Sequence, residues 1–144
     1  MAAADDLDRV IEQYNLALGE FVKGNPELAK RVWSHREDVS LANPLGPPAR
    51  GWEQVAQTME RPASNLRDGE MVAFENVAKY VTPELAYVVR VERQAAKFGG
   101  GEAIAPSVLR VTMIFRPEDG TWKLVHRHAD SITTAQPAES VIQE

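Results

Sequence analysis

Apolar residues recur every three or four positions in the first third of the chain and every second position in much of the last half. Between residues 7 and 22 the apolar spacing is helical, and Gly24 stands where a helix would stop. Asn25 and Pro26 have the residue types of a helix cap and a first helical position. The pattern therefore predicts one long helix and then a short one that runs through about Trp33.

The middle of the chain predicts a short strand, a loop and a third helix. Val39 and Leu41 alternate with polar neighbours, and the proline-rich and glycine-rich stretch 42–51 reads as a loop. Trp52 to Met59 carries the apolar stripe of a helix, which Pro62 should end because proline cannot continue a helix interior. Alternation and turn signals then predict four long strands at about 70–81, 84–97, 105–116 and 121–130.

This order of elements is typical of an α+β fold in which helices cover one side of an antiparallel sheet. The length of 144 residues is enough for one core and too short for two comfortable domains. The four strands follow one another through short turns, so they predict a meander. The stretch from Ser131 to Glu144 has little periodicity and is expected to form a tail outside the domain.

The last predicted strand, GTWKLVHRHAD, carries two of the three histidines. Strict alternation would place five of its residues on one face: Trp122, Leu124, His126, His128 and Asp130. Imidazole titrates near neutral pH, so this row could move protons. The alternative is that each histidine forms an ordinary cross-strand hydrogen bond and has no further task.

Composition excludes several classes of function. The chain has no cysteine, and its three histidines lack the spacing of a zinc site, so no metal and no cofactor are expected. A net charge of -5 without a basic stripe argues against nucleic acid as a partner. Neither a membrane-length apolar run nor a signal peptide is visible, which favours a cytoplasmic protein without a membrane partner.

Three segments, NPELAKRVW (25–33), VSLANPLGPPARGWEQV (39–55) and RVTMIFRPEDGTWKLVHRHAD (110–130), resemble the SnoaL-like branch of the nuclear transport factor 2-like superfamily. The resemblance implies a SnoaL-like domain over residues 5–131 and a tail over 132–144. It implies a cone-shaped α+β fold, with about three N-terminal helices packed on a strongly curved antiparallel sheet that encloses a pocket. It also implies a homodimer formed through the sheet. It does not imply one reaction, because members include isomerases, dehydratases, epoxide hydrolases, polyketide cyclases and noncatalytic domains.

The steroid isomerases of this superfamily give a partial match. The segment around Tyr14 resembles the helix that carries their oxyanion-hole tyrosine. Their general base, however, corresponds to Asn43, and an amide cannot take a proton from carbon. No acidic residue occurs between Glu102 and Glu118 to act as their second oxyanion donor. Isomerase chemistry of that type is therefore disfavoured.

The limonene-type epoxide hydrolases resemble the chain at Asn43 and at the Arg90-x-Glu92 pair. His128 falls about where their last acid would lie. In this interpretation Glu92 and His128 share a water, Asn43 holds that water and Arg90 keeps Glu92 ionised. The polyketide cyclases of the SnoaL type offer another alternative, in which Asp130 would be the acid and base.

The association domain of calcium/calmodulin-dependent kinases is a further resemblance, since its closing strand ends in His-x-His and the strand before it bears an inward arginine. Arg110 matches that arginine. A buried guanidinium needs an anionic partner, so Arg110 and Arg90 could converge on the carboxylate of a ligand. The alternative is an internal ion pair between Arg110 and either Glu92 or Glu75.

Together these observations predict a protein that binds a small, mostly apolar molecule, with an anionic group as one option. As an enzyme it would be a cofactor-free lyase, isomerase or hydrolase. Its titrating groups would be His128, His126 and Glu92, and its binding residues would be Arg110, Arg90, Asn43, Tyr14, Trp33 and Trp52. The alternative function is a noncatalytic module for ligand binding or for oligomer assembly.

Overall fold

A computed structural model describes residues 2–143, with side chains from residue 6 onward. Within this range, three helices precede and flank one six-stranded sheet. The helices are α1 (Ala2–Phe21), α2 (Glu27–Val32) and α3 (Trp52–Ser64). The strands are β1 (Ser40–Ala42), β2 (Ala49–Arg50), β3 (Leu66–Val81), β4 (Ala86–Phe98), β5 (Ala105–Glu118) and β6 (Thr121–Asp130). A single 3₁₀ turn, Ala138–Val141, follows β6. The predicted α+β class is confirmed.

The residues predicted to end the first helix and to begin the second do so in the structure. Gly24 has a positive φ of 104° and donates its N–H to the Phe21 carbonyl at 2.9 Å, which closes α1. The side chain of Asn25 accepts a hydrogen bond from the Glu27 N–H at 3.1 Å and so caps α2. The buried stripe of α1 packs on the sheet.

The prediction that Pro62 ends the third helix is wrong, because α3 continues to Ser64. A proline this close to a C-terminus costs only one backbone hydrogen bond, and the last carbonyls of the helix are satisfied by other donors. Ser64 Oγ and Asn65 Nδ2 both donate to the Arg61 carbonyl, at 2.8 and 2.9 Å. The Asn65 N–H donates to the Pro62 carbonyl at 3.1 Å.

The sheet has the order β2-β1-β6-β5-β4-β3. Strands β3 to β6 form the predicted antiparallel meander, but β1 pairs with β6 in parallel, with Ser40 opposite His126 and Ala42 opposite His128. The expectation of a fully antiparallel sheet is therefore wrong at this edge, and the sheet is mixed and open. No hairpin joins β1 to β6, so the local sequence does not fix their relative direction.

A β-bulge at Val125 changes which residues of β6 face the helices. Ile114 pairs with His126, whereas Phe115 pairs with Leu124, so Val125 is the extra residue. One extra residue reverses the alternation beyond it. The inner face, which is packed against the helices, takes Trp122 and Leu124 before the bulge and Arg127 and Ala129 after it, while His126, His128 and Asp130 lie on the opposite outer face. The prediction of one shared face for this row is wrong for that reason.

The beginning of β3 packs directly on the end of α1. Gly69 donates its N–H to the Val22 carbonyl at 3.1 Å, and a Cβ atom on Gly69 would lie 2.4 Å from that oxygen. Three register shifts interrupt the pairing of β3 with β4, and the first of them, between Arg67 and Glu70, includes Gly69. A space remains between α1, α3 and the inner face of the sheet.

Candidate functional site

A cavity of about 720 Å³ lies between the helices and the inner face of the sheet. This volume is in the range that holds small organic ligands. Most of its wall is apolar, contributed by side chains such as Leu18, Phe21, Leu41, Met59, Leu66 and Leu109. The cavity therefore favours a ligand with a mostly apolar surface.

A buried ion network forms part of the inner face beside the cavity. Glu92 of β4 accepts two hydrogen bonds from Arg127 of β6, at 2.7 Å from Nη2 and 3.0 Å from Nη1. Arg90 Nε donates to the same carboxylate at 3.0 Å, and Arg90 Nη1 donates to Asn15 Oδ1 of α1 at 2.7 Å. Arg90 and Glu92 are each 1% exposed and Arg127 is 8% exposed. Two arginines share one carboxylate, so the network carries a net charge of +1.

The network keeps Glu92 ionised. Burial alone would raise the pKa of the Glu92 carboxyl, but Arg127 and Arg90 outweigh burial and lower it below its usual value. Burial also opposes the charged form of Arg127, yet the Glu92 carboxylate raises its pKa. The pKa of Arg90 is lowered, chiefly by burial, although an arginine remains protonated at neutral pH. Glu92 is therefore a weak candidate for a general base.

Aromatic rings cover both arginines. The Arg127 guanidinium carbon lies 5.6 Å from the ring centre of Tyr14, and the Arg90 guanidinium carbon lies 4.4 Å from that of Phe74. Burial raises the pKa of the Tyr14 hydroxyl, which stays protonated and lines the cavity. The indole Nε1 of Trp33 is buried and forms no hydrogen bond of good geometry with any described residue, although it lies near enough to the Tyr14 hydroxyl to oppose the rise of that pKa.

A second group of polar residues lines the cavity on β4 and β5. Gln94 of β4 and Ser107 of β5 pair across the sheet and both line the cavity. The Ser107 Oγ is buried and has no hydrogen-bond partner among the described residues. Sequence reasoning did not select either residue, because a serine and a glutamine in alternating strands carry no distinctive signal.

The outer face of β5 and β6 holds several of the predicted site residues. His126 Nδ1 shares a hydrogen bond of 2.8 Å with Ser40 Oγ, and His128 Nε2 lies 2.9 Å from Asp130 Oδ2. Arg110 Nε donates to Asp130 Oδ1 at 2.6 Å. Neither histidine lines the cavity, and neither does Arg110. The structure therefore separates His126, His128 and Arg110 from Glu92 by the thickness of the sheet.

The charges on the outer face shift two pKa values. Burial alone would raise the pKa of Asp130, but the hydrogen bond from Arg110 and the N–H of Ile132 lower it to about 2. Partial burial and the nearby His128 lower the pKa of His126. Asp130 thus stays ionised as an ion-pair partner, which matches a rim role more closely than that of a cyclase acid.

The remaining predicted binding residues divide between wall and surface. Tyr14 and Trp33 line the cavity, as does Asn43, whose Oδ1 accepts a hydrogen bond from the Leu45 N–H at 2.9 Å. Trp52 is not among the lining residues and stacks on His35 with 3.9 Å between ring centres. The structure thus brings Tyr14, Trp33 and Asn43 to one cavity and leaves Trp52 outside it.

Arg127 is the functional candidate that sequence reasoning missed. Strict alternation placed it opposite the histidines and hence away from the pocket. The adjacent apolar residues Leu124 and Val125 break the alternation, and this break is the signal that could have revealed the bulge. The bulge turns Arg127 inward, where it binds Glu92 and lines the cavity.

Metal-binding clusters and membrane-length helices are both absent from the described part of the chain. Among residues 2–143, no group of three or more histidine, aspartate or glutamate side chains is arranged to hold a metal ion. Within the same range, no helix has the length and apolar character needed to cross a membrane.

The sequence profile of the SnoaL-like domain matches residues 11–134. The chain belongs to the SnoaL-like domain family. The match covers all four long strands and most of the three helices, and it therefore includes the cavity and the ion network. None of the curated protein sequences compared with this SnoaL-like chain matches it significantly.

Solved structures share the fold of this SnoaL-like protein. A nuclear transport factor 2-like protein from Salmonella enterica serovar Typhimurium is 16% identical with a TM-score of 0.78, and 96% of each chain is covered. A candidate dehydratase of the same superfamily from Streptomyces avermitilis is 23% identical with a TM-score of 0.69, covering 88% of this chain and 99% of that one. A candidate calcium/calmodulin-dependent kinase II association domain from Xanthomonas campestris is 16% identical with a TM-score of 0.71, covering 90% and 87%. Identities this low show the fold alone.

Proposed function

We propose that this SnoaL-like protein binds a small, mostly apolar molecule in the cavity between its helices and its sheet. The observation that carries the proposal is the cavity itself, which has a volume of about 720 Å³ and a largely apolar wall. Apolar ligands gain free energy in proportion to the surface they bury, and a cavity of this size can bury most of a ligand of roughly 10 to 20 heavy atoms.

Binding without turnover is favoured over catalysis. Acid and base catalysis needs a group whose pKa lies near neutral pH within reach of the substrate. Behind the cavity wall, Glu92 is held ionised by two arginines, and His126 and His128 lie on the outer face. Asn43 lines the cavity but has no basic group. A cofactor-free lyase, isomerase or hydrolase is therefore the alternative, and formation of a product from a bound ligand would distinguish it.

The outer face of the sheet supports a homodimer as part of the proposal. Apolar side chains on that face are only half covered within one chain, among them Val89, Val91 and Ile114. They alternate with the inward residues of β4 and β5 and form an apolar patch that is bordered by Arg110, Thr112 and His128. A second copy that covers this patch would remove it from water.

Ligand binding is tested with the neutral fluorescent probe N-phenyl-1-naphthylamine, which other ligands can then displace from the cavity. The wild type should bind the probe, and Leu109→Trp should weaken binding at least tenfold because the added ring fills the cavity. The control Glu53→Trp places the same ring on the exposed side of α3 and should bind as the wild type does. Failure of the wild type to bind, or normal binding by Leu109→Trp, would contradict the proposal. Chemical conversion of a displacing ligand would favour the enzyme alternative.

The dimer is tested by light scattering after size-exclusion chromatography. Val91→Lys should yield monomers, because it places a second cation opposite Arg110 within the proposed interface. The control Val72→Lys lies on the edge strand β3, where the side chain is 60% exposed, and should remain dimeric. A wild-type mass equal to one chain would contradict this part of the proposal.

A further inference from the structure

We infer that the cavity selects a monoanionic ligand, an apolar molecule with one carboxylate head bound against Arg127. This inference rests on the proposed binding function and narrows it to a chemical class.

Arg127 is the single charged residue among the described residues that line the cavity. Behind it, Glu92 is shared with Arg90, so the buried network has one positive charge more than it has negative charges. A buried charge without a counter-ion is costly in a low-dielectric interior. One negative charge on the ligand would neutralise the excess, whereas a dianion would only reverse its sign.

The two arginines have different access to a ligand. Arg90 is 1% exposed, lies against the ring of Phe74 and is not among the lining residues. The side chain of Arg127 is 10% exposed and contributes to the cavity wall. Its hydrogen bonds to Glu92 and Met113 all come from the two terminal nitrogens, which leaves Nε–H available. Arg127 is therefore the contact, and Arg90 holds Glu92 in position.

Two aromatic residues that line the cavity together with Arg127 carry hydrogen-bond donors. Tyr14 faces the guanidinium and keeps its hydroxyl proton, and the Trp33 indole N–H is buried without a full hydrogen bond to any described residue. An indole N–H can only donate, and the Arg127 Nε–H can only donate. A carboxylate has two oxygens that only accept, and its planar shape suits an arginine. The head group that satisfies these donors is therefore an acceptor with one negative charge.

The inference is tested at pH 7.5 with three ligands that share one apolar body: octanoate, octan-1-ol and octyl phosphate. Each is measured by displacement of the neutral probe from the full-length wild type. Octanoate should bind at least tenfold more tightly than octan-1-ol, and octyl phosphate should bind more weakly than octanoate. Equal binding of octanoate and octan-1-ol would overturn the inference and leave the proposed function intact. Tighter binding of octyl phosphate would overturn the monoanion class.

Arg127→Met provides the matched variant, since it leaves Arg90 and Glu92 as a neutral pair. In this variant the affinity for octanoate should fall at least tenfold, while the affinity for octan-1-ol should change less than threefold. The control Arg110→Met removes an outer-face arginine and should keep the full preference for octanoate. If Arg127→Met does not fold, the wild-type comparison decides the question alone. Absence of probe, octanoate and octan-1-ol binding in the wild type would overturn both the inference and the proposed function.

Discussion

Glu92 and Arg127 stand 35 residues apart in the chain and meet through two hydrogen bonds of 2.7 and 3.0 Å inside the protein. The pair ties β4 to β6 across the intervening strand β5. It also decides how the charge of the cavity wall is distributed, because the same carboxylate serves Arg90. Removal of the Glu92 carboxylate should therefore lower the stability of the fold as well as change the charge of the cavity wall.

Glu92→Gln should lower the free energy of unfolding by about 3–5 kcal/mol, since it leaves two buried guanidinium groups without a carboxylate. Urea denaturation measures the change. The matched control is Glu75→Gln, which breaks an exposed pair with Arg93 at a similar distance of 2.7 Å and should have a much smaller effect. A similar decrease in the free energy of unfolding in the two variants would show that the buried pair stabilises the protein no more than the exposed one.

Gly69→Ala should lower the free energy of unfolding by about 3 kcal/mol, because overpacking forces the backbone apart. The added methyl would lie 2.4 Å from the Val22 carbonyl oxygen and 2.8 Å from the Cβ of Ala96. Gly19→Ala is the opposite case, since it adds a methyl inside α1 with no atom within 4 Å. That variant should be more stable by about 0.5–1 kcal/mol in the same denaturation experiment.

Asp130 should contribute stability that disappears in acid. Its carboxyl has a pKa of about 2 when folded, against an unfolded value of 3.8, so the unfolded chain binds a proton first. The contribution is complete above about pH 4 and is lost as the pH falls through 2. The slope of unfolding free energy against pH in this window should be shallower in Asp130→Asn than in the wild type. Parallel curves for the two proteins would contradict the shift.

Deletion of Val125 should destabilise the protein by about 3 kcal/mol or more, since it removes the bulge and reverses the alternation beyond it. His128 and Asp130 would then face the apolar cavity, and Arg127 would leave Glu92. The control is deletion of Gly100, which lies in the exposed turn between β4 and β5, where even an added methyl group would meet no atom within 4 Å. Thermal unfolding of both variants gives the comparison, and a stable Val125 deletion would show that the bulge is dispensable.

The sequence predicts the elements of this fold better than it predicts the site. Helical spacing around Tyr14 and strand alternation in β3 to β6 follow from short stretches of chain, so both are visible without the structure. The pair Arg90 and Glu92 lies two positions apart on one strand, and its contact could be predicted for that reason. The bulge leaves only one local trace, the adjacent apolar residues Leu124 and Val125, and the parallel pairing of β1 leaves none.

The side of the sheet on which Arg110 lies could not be read from β5, because this strand is apolar on both faces. Val111, Met113 and Phe115 are buried inward, while Val108 and Ile114 occupy alternate positions and are half covered. Alternation separates these two sets but does not say which one the helices cover. The sequence of β5 therefore does not show which face of the sheet Arg110 lies on, and only tertiary packing decides it.

The parallel pairing of β1 with β6 delays the completion of the sheet during synthesis on the ribosome. Ser40 of β1 meets His126 of β6, 86 residues later. During synthesis at roughly 5–20 residues per second, β1 and the Leu41 wall of the cavity wait several seconds for their partner. Until β6 emerges, a nascent chain exposes the apolar lining and the edge of β5. The cavity is therefore among the last features to form, and a ligand cannot assist the earlier steps of folding.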